Sequence, residues 1–590
     1  MALPGVKINV LDGNLALQAP SNEQTVVYLG PSLSGANNTL STYGDITTLQ
    51  SALSGSAAIG GELVELAGYG LSVSGTPVMV MPTNTTTRGG VGAVTHVGTG
   101  AGTVTLTLAP HVSITITCVA GGTLGTAQFT FTLGSGTASA PVTSAASWST
   151  TGYFVGGTYC NVVFVAGTYI SAVTPDIYVI STLGAVTHPQ GSGPVIPTFT
   201  ASPVDYFTPL LTITTAGSPG TAQFTYALDY GANAATANTS ATIITPAGGA
   251  YAIPNTGIVA TFAGAFVVND TYAFSAAGPS PNTSDLTAAF TALTTTYLAQ
   301  ATYSMAAVVA SNASAAAWAT QCASLETQSL TLFNAGVYVR MFNGCPTIGT
   351  VLPNVGGITV DAADTDSVVV AARAGISAPH VVGCAGDWVM TSPVTGLSFR
   401  RNAMWAAVGR SSSHEASENI GAVQDGGIAG AVSLIRDENA TPAFDAAGIT
   451  CMRTFTGAGA NGIYMTDGHT STTPTSDYFP LTNARVIDRA CAIARLNALP
   501  LVLSKIPTTT RNGLPGVITE RKAQQIEGML KSALETAMVD TQPADAVAVG
   551  VQVSRTHNIL ADGNLIIQVA VQPFAYARIV VVNIGLAVQA

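Results

Sequence analysis

Three short stretches occur twice in the first half of this chain at nearly constant separation, and that duplication limits the possible fold more than any other feature. Ala93-Val-Thr-His96 returns as Ala185-Val-Thr-His188, and Ile114-Thr-Ile-Thr117 has a counterpart in Leu211-Thr-Ile-Thr214. Gly125-Thr-Ala-Gln-Phe-Thr130 returns as Gly220-Thr-Ala-Gln-Phe-Thr225. Repetition at a fixed period marks a repeated structural unit, and the spacing predicts two tandem units, 91–182 and 183–279. Within the first, Val104, Leu106 and Leu108, then Val112, Ile114 and Ile116, alternate with Thr, Ser or His, the period of a half-buried strand. Short alternating strands separated by Gly, Pro and Asn turns predict a small β-sandwich in each unit. His96 and His188 recur with no second metal ligand nearby, so a structural role is predicted for both.

The remainder of the chain has a different character. A length of 590 residues exceeds what one core fills, so three to five domains are expected. Only 8% of residues are charged against 47% hydrophobic, with 62 Gly, the opposite of a disordered composition. A surface so poor in charge suits a protein whose faces are covered by copies of itself, or a Thr-rich secreted β-protein. Residues 1–300 carry Lys7 and Arg88 against ten acids, and residues 301–590 carry 17 basic and 20 acidic residues. The net charge of −11 leaves no basic footprint for nucleic acid. No run of about 18 apolar residues predicts membrane insertion. Met1–Lys7 leads into an alternating stretch and not into the apolar segment of a secretory signal. The seven cysteines are scattered without C-x-x-C spacing, which predicts buried thiols and no metal site.

From about residue 285 helices are predicted among strands: 286–311, 315–325, and a strand or helix over 368–374. Asp361, Asp364 and Asp366 precede the last of these and are expected to be a solvated helix start more than a divalent-cation loop. Gly457-Ala-Gly-Ala-Asn-Gly462 has the form of a dinucleotide loop, but the following Ile463–Thr466 reads as a strand where that site needs a helix. No cofactor is predicted. His414, beside Ser411–Ser413 and Glu415, is the best catalytic candidate, yet no G-x-S-x-G elbow accompanies it and no enzyme is expected.

The order of several segments carries a resemblance. Arg453-Thr-Phe455, the Gly-rich turn, Tyr464-Met-Thr466 and the later Arg485-Val-Ile-Asp488 follow one another. Pro4-Gly-Val6 and Thr25-Val-Val-Tyr-Leu-Gly-Pro31 precede them, and Val551–Ser554, Asn564–Val569 and Ala577–Leu586 close the chain. Together these resemble the contractile tail sheath family, over about 1–90 and 280–590. The resemblance implies an α+β multidomain fold, a sheath core of mixed α/β layers with extended terminal strand arms; the two tandem all-β sandwich domains read from the repeat depart from the minimal family pattern and would be insertions facing outward. The implied domains are a linking arm at 1–20, a discontinuous core at 21–90 with 280–510, the insertions 91–182 and 183–279, and a C-terminal domain at 511–590.

It further implies a structural subunit of a virion tail, made in the host bacterial cytoplasm, that polymerises as stacked rings of six around a tail tube and contracts. Partners would be other copies of itself, the tube protein, and baseplate and terminator proteins. Terminal arms would join neighbouring subunits by strand addition: Val6, Ile8 and Val10 at one end, Ile579, Val580, Val581, Val582 and Ile584 at the other. A helix over 516–539 places Ile526, Met529, Leu530, Ala533, Leu534 and Ala537 on one face, with Arg521, Lys522 and Lys531 as candidates to face the tube. The alternative is a β-rich surface adhesin or capsid decoration protein, which predicts dispersed particles in place of tubes.

Overall fold

The computed structural model describes residues 26–54, 60–85, 88–172, 174–191, 198–228, 239–297, 303–309, 314–345, 366–455, 461–511 and 513–578. Both sequence-predicted arms, with Val6, Ile8, Val10 and Ile579–Ile584, lie outside these residues, as do Asp361, Asp364 and most of the Gly457 turn.

The core is a twisted sheet of largely apolar runs, with Arg340 and Asn343 as buried polar exceptions. β1 (Val26–Gly30) leads through α1 (Glu62–Ser74) to β2 (Val78–Pro82). After the β-rich insertion come α2 (Thr283–Tyr297), β3 (Tyr303–Val308), α3 (Ala315–Ala335), β4 (Tyr338–Gly344), α4 (Asp366–Ala374) and β5 (Val381–Cys384). The spatial order is β2–β1–β3–β4–β5, all parallel, with the short strand Ser41–Tyr43 antiparallel on the β2 edge.

Successive strand side chains point to opposite faces, so a strand buried on both is apolar nearly throughout. Val26, Tyr28, Val80, Met305, Ala307 and Phe342 meet α1 and the helix α5 (Ala403–Ser413). Val27, Leu29, Met79, Met81, Ala306 and Met341 meet α2 and α3. The mixed α/β layering expected of the core is present. The predicted helix 286–311 is wrong: α2 ends at Tyr297 and β3 follows, because Met305–Val308 is needed at the centre of the sheet. The expected start of α4 is solvated only in part, since Asp366 pairs with Arg436 at 2.9 Å.

The duplicated segment forms two sandwiches with the same strand plan, but not by simple tandem closure. In the first, the sheet order is 142–143, Gln128–Leu133, Ile114–Ala120, Ile177–Ile180, Val186–Gln190, facing a sheet of Tyr153–Val155, Cys160–Val163 and Thr198–Thr200. In the second, the order is 243–244, Gln223–Ala227, Leu210–Thr215, Thr271–Ala273, Thr95–Val97, facing Ala250–Ile253, Ile258–Ala263 and Thr103–Leu108.

The two sequence repeats therefore exchange strand pairs. Thr95–Val97 and Thr103–Leu108 of the first repeat complete the second sandwich, while Val186–Gln190 and Thr198–Thr200 of the second complete the first. The boundary expected at 182/183 cuts through one sandwich, whose strands run from Ile114 to Thr200 as an insertion in the other.

The histidines seal both exchanges. His96 stacks on Tyr272 with centroids 4.5 Å apart, its Nε2 3.8 Å from buried Asp270; His188 stacks on Tyr178 at 4.4 Å, 3.4 Å from buried Asp176. Gly98 and Gly191 occupy positive φ against these same aspartates, where a Cβ would collide with the carboxylate.

The helices α6 (Leu481–Ala498) and α7 (Glu520–Met538) then pack on each other and on the antiparallel pair β6 (Ala548–Val553) and β7 (Ile567–Gln572). A hairpin of Thr508–Arg511 and Leu514–Ile518 precedes α7, so this unit begins before the expected residue 511. Among the described residues no helix is long and apolar enough to cross a membrane.

Candidate functional site: a two-stranded ribbon on a braced helix pair

Two of the segments that carried the sequence resemblance pair directly. Met452–Arg453 and Tyr464–Met465 form an antiparallel pair, with Gly462 leading into a strand and not a helix. α6 follows, and its two charged motif residues are buried. Arg485 donates to the carbonyls of Ser411, His414 and Glu415 at 2.8, 3.0 and 3.1 Å, satisfying the C-terminal end of α5. Asp488 accepts from Arg340 of β4 at 2.7 and 3.0 Å; burial pushes its carboxyl upward while the guanidinium pulls it down. Sequence reasoning named Arg485 and Asp488 but missed Arg340, a lone cation in an apolar run without a pattern to flag it.

On α7 the buried positions are Ala523, Ile526, Leu530, Leu534 and Met538. Met529, expected on the apolar face, is 39% exposed, because it falls one step outside the stripe that β6 and α6 cover. Arg521 and Lys531 are exposed, as expected, and Lys522 sits at the border, with its Nζ 3.3 Å from the Gln525 amide oxygen. At 100° per residue Lys522 and Lys531 lie about 180° apart around the helix axis. The three cations therefore do not form one patch. Lys531 pairs with Glu535 at 3.5 Å.

The other end of α7 is tied down by Arg555, which follows β6. Its guanidinium reaches Glu520 at 2.8 Å and Glu527 at 2.9 Å, Arg511 of the hairpin reaches Glu520 at 2.9 Å, and Glu527 accepts from Val553 N–H at 2.7 Å. Hydrogen bonds from Arg555 and Arg511 hold the Glu520 carboxyl down at about 2, and those from Arg555 lower Glu527 as well.

Against this brace lies the feature most open to a partner. β6 and β7 pair over six residues and, among the described residues, form a sheet of only two strands. β7 is largely exposed, with Val569 at 37% and neighbouring Ile566 at 44%. A free strand edge offers a row of unpaired backbone groups. Beyond β7 the chain passes Phe574 and Tyr576, which line a cleft of about 520 Å³ with Ser417, Glu418 and Asp425. It is then pinned at Arg578, 2.9 Å from Asp467 and 3.1 Å from Asp445.

His414 does meet Ser413 and Asp425, at 2.8 and 3.5 Å. The nitrogen facing Ser413, Nδ1, also lies 2.9 Å from the Arg410 carbonyl, which can only accept, so that nitrogen carries the proton and cannot take one from serine. The contact caps α5 and lacks the geometry of a nucleophile and its base. Among the described residues no group of His, Cys, Asp and Glu could hold a metal ion. Six cysteines are buried and Cys491 is half-buried, all as free thiols.

Fold and site thus define a multidomain α/β protein with inserted β-sandwiches and, among the described residues, a two-stranded C-terminal ribbon. The chain belongs to the DUF2586 family, whose N-terminal domain matches residues 3–469. Among solved structures it is similar to the sheath tail protein of Listeria innocua, at 11% identity and a TM-score of 0.38, over 93% of this chain and 95% of that one. It is also similar to a chain of the anti-feeding prophage baseplate, at 14% identity and a TM-score of 0.32, over 53% of this chain and 76% of that one. A third is the PVC sheath complex of an extracellular contractile injection system in its contracted state, at 12% identity and a TM-score of 0.31, over 48% and 71%. No curated protein matches it.

Proposed function

We propose that this protein is the sheath subunit of a contractile virion tail, polymerising as stacked hexameric rings around a tail tube and contracting to drive the tube through the host envelope. The observation that carries the reading is the two-stranded ribbon β6–β7, exposed, braced from behind by α7, and leading directly into the alternating apolar C-terminus. A two-stranded ribbon gains most from further strands, and strand addition joins chains through main-chain hydrogen bonds. In this reading Ile579, Val580, Val581, Val582 and Ile584 of one subunit, and Val6, Ile8 and Val10 of another, complete the ribbon of a third. Arg521 and Lys531 face the tube protein from α7, with Lys522 on the opposite side of the helix, and the baseplate and a terminator protein contact the two ends of the polymer. The sandwiches face outward.

Contraction in this scheme consumes no nucleotide. If the contracted lattice buries a few hundred Å² more apolar surface per subunit, about 25 cal/mol per Å² gives several kcal/mol for each, released in sequence along the tail.

Negative-stain electron microscopy of the purified chain at high concentration tests the proposal. Hollow striated tubes or stacked discs are expected, and truncation after Arg578 is expected to abolish them while leaving the monomer folded. Dispersed particles, with tube protein present as well as absent, would favour a surface adhesin or decoration protein.

A further inference from the structure

The insertion meets the core across a buried seam whose charges do not balance. The segment 201–209 crosses between the two sandwiches: Ser202 N–H donates to Tyr159 O at 3.1 Å and Val204 N–H to Thr256 O at 2.9 Å. Asp205 in this segment accepts from Arg401 at 2.8 Å, and Arg401 belongs to the core strand Ser398–Asn402. Both side chains are buried, and the guanidinium lies 4.8 Å from the ring centres of Phe399 and Trp405. The first turn of α1 adds Glu62 and Glu65 to the same site. At its N-cap, Gly61 has φ 84° and leaves only 3.3 Å between a built Cβ and Val204 O, so helix and insertion are in close contact.

Asp205 contacts the guanidinium directly, and Glu62 and Glu65 lie close enough to feel its charge and that of Asp205. Burial raises the Asp205 carboxyl, and its direct contact with Arg401 pulls it back down. Glu65 is fully buried; Ser392 Oγ donates to its Oε2, and its Oε1 has no partner. A carboxylate with an unpartnered buried oxygen is unfavourable, and a neutral acid at the same place is not. Glu62 is partly buried, and beyond Asp205 and Arg401 the titratable group near it is the buried Tyr159 phenol. We infer that the seam is a proton-loaded clamp, closing the sandwich insertion on the core while Glu62 and Glu65 are protonated and loosening as they ionise.

Burial raises Glu65 to about 7, and burial with repulsion from Asp205 raises Glu62 to about 8. A carboxyl raised above its unfolded value of about 4.5 favours the closed state below that value, and the contribution is lost as pH rises through the raised values. The preference for the closed state therefore falls from about pH 4.5 and is gone by about pH 8.

Hydrogen–deuterium exchange of the full chain, corrected for the intrinsic pH dependence of exchange, tests this on amides 60–66, 200–206 and 398–402. Wild-type protection there is expected to fall about tenfold or more between pH 6 and pH 9, while the strand Ile114–Ala120 inside the first sandwich is unchanged. In Glu65→Gln and in Glu62→Gln/Glu65→Gln the fall is expected to shrink and then vanish. A wild-type seam equally protected at both pH values, or a fall that persists undiminished in both variants, overturns the clamp.

Discussion

In the core, Arg340 contacts Asp488 with both side chains almost wholly buried, and the same guanidinium also donates to the Pro379 and Ala484 carbonyls. In the C-terminal unit, Arg555 contacts Glu520 and Glu527 at the surface, with the Glu520 side chain 46% exposed. The pairing chemistry is the same, and the surroundings reverse its meaning. A buried pair is held because neither partner tolerates the loss of the other, whereas a surface network is held by its own attraction, which water and salt weaken. The core pair fixes α6 on β4 permanently. The surface brace holds α7, the hairpin and the ribbon in a way that mild conditions can undo, which suits an element expected to accept new strands.

The largest effect should come from orphaning the buried cation. Asp488→Ala is expected to destabilise the protein by about 3–5 kcal/mol, read as a large drop in the melting temperature. Replacing both partners, Arg340→Met with Asp488→Leu, should cost less than the single change, since no charge is then left buried; the Pro379 and Ala484 carbonyls still lose a donor, at about 1–3 kcal/mol. A double variant worse than Asp488→Ala would break the contrast between core and surface.

An intermediate effect is expected at the brace. Arg555→Ala should loosen α7 against β6 by about 1 kcal/mol or less, seen as faster amide exchange in β6 and β7, and added salt should mimic it in the wild type. Acid should do the same. The Glu520 and Glu527 carboxyls are lowered in the folded state, so their contribution is present above the usual carboxyl value of 4.5 and lost as pH falls below it, that of Glu520 towards about 2. Ribbon exchange that is flat from pH 5 to pH 2 would show that the network holds nothing.

Periodic features were the legible ones. Alternation gave the sandwich strands, the apolar stripe gave α7 within a few residues, and duplication marked the two sandwiches. The strand exchange was hidden for a physical reason: both repeats carry the same Val-Thr-His strand, so either copy satisfies either Tyr and Asp partner locally, and only the three-dimensional path decides. The helix over 286–311 was overextended because Ala, Thr and Val continue past Tyr297, and the demand of a central strand position lies outside any local window. Of the candidate assembly surface, α7 and its cations were legible, but the brace was not, since Arg555 and Glu527 lie 28 residues apart. The charges in the seam were likewise invisible, because Glu65, Asp205 and Arg401 meet only through the fold.

The smallest stability effect sharpens the comparison most. Lys531 is 50% exposed on its side chain and pairs one turn away with Glu535; such pairs contribute about 0.3–0.5 kcal/mol. Lys531→Ala should therefore leave the melting temperature almost unchanged, and Arg521→Ala, on an equally open part of the helix, should do the same. If α7 faces a tube, both changes should nonetheless reduce co-assembly with tube protein, and more so together, because charges at an interface act on encounter and register while contributing little to the free fold. The diametrically placed Lys522 supplies the internal control: Lys522→Ala and Lys531→Ala cannot both remove a contact to one flat surface. Pelleting with tube protein should therefore separate them, and equal losses from both would mean that α7 is enclosed by partners on two sides.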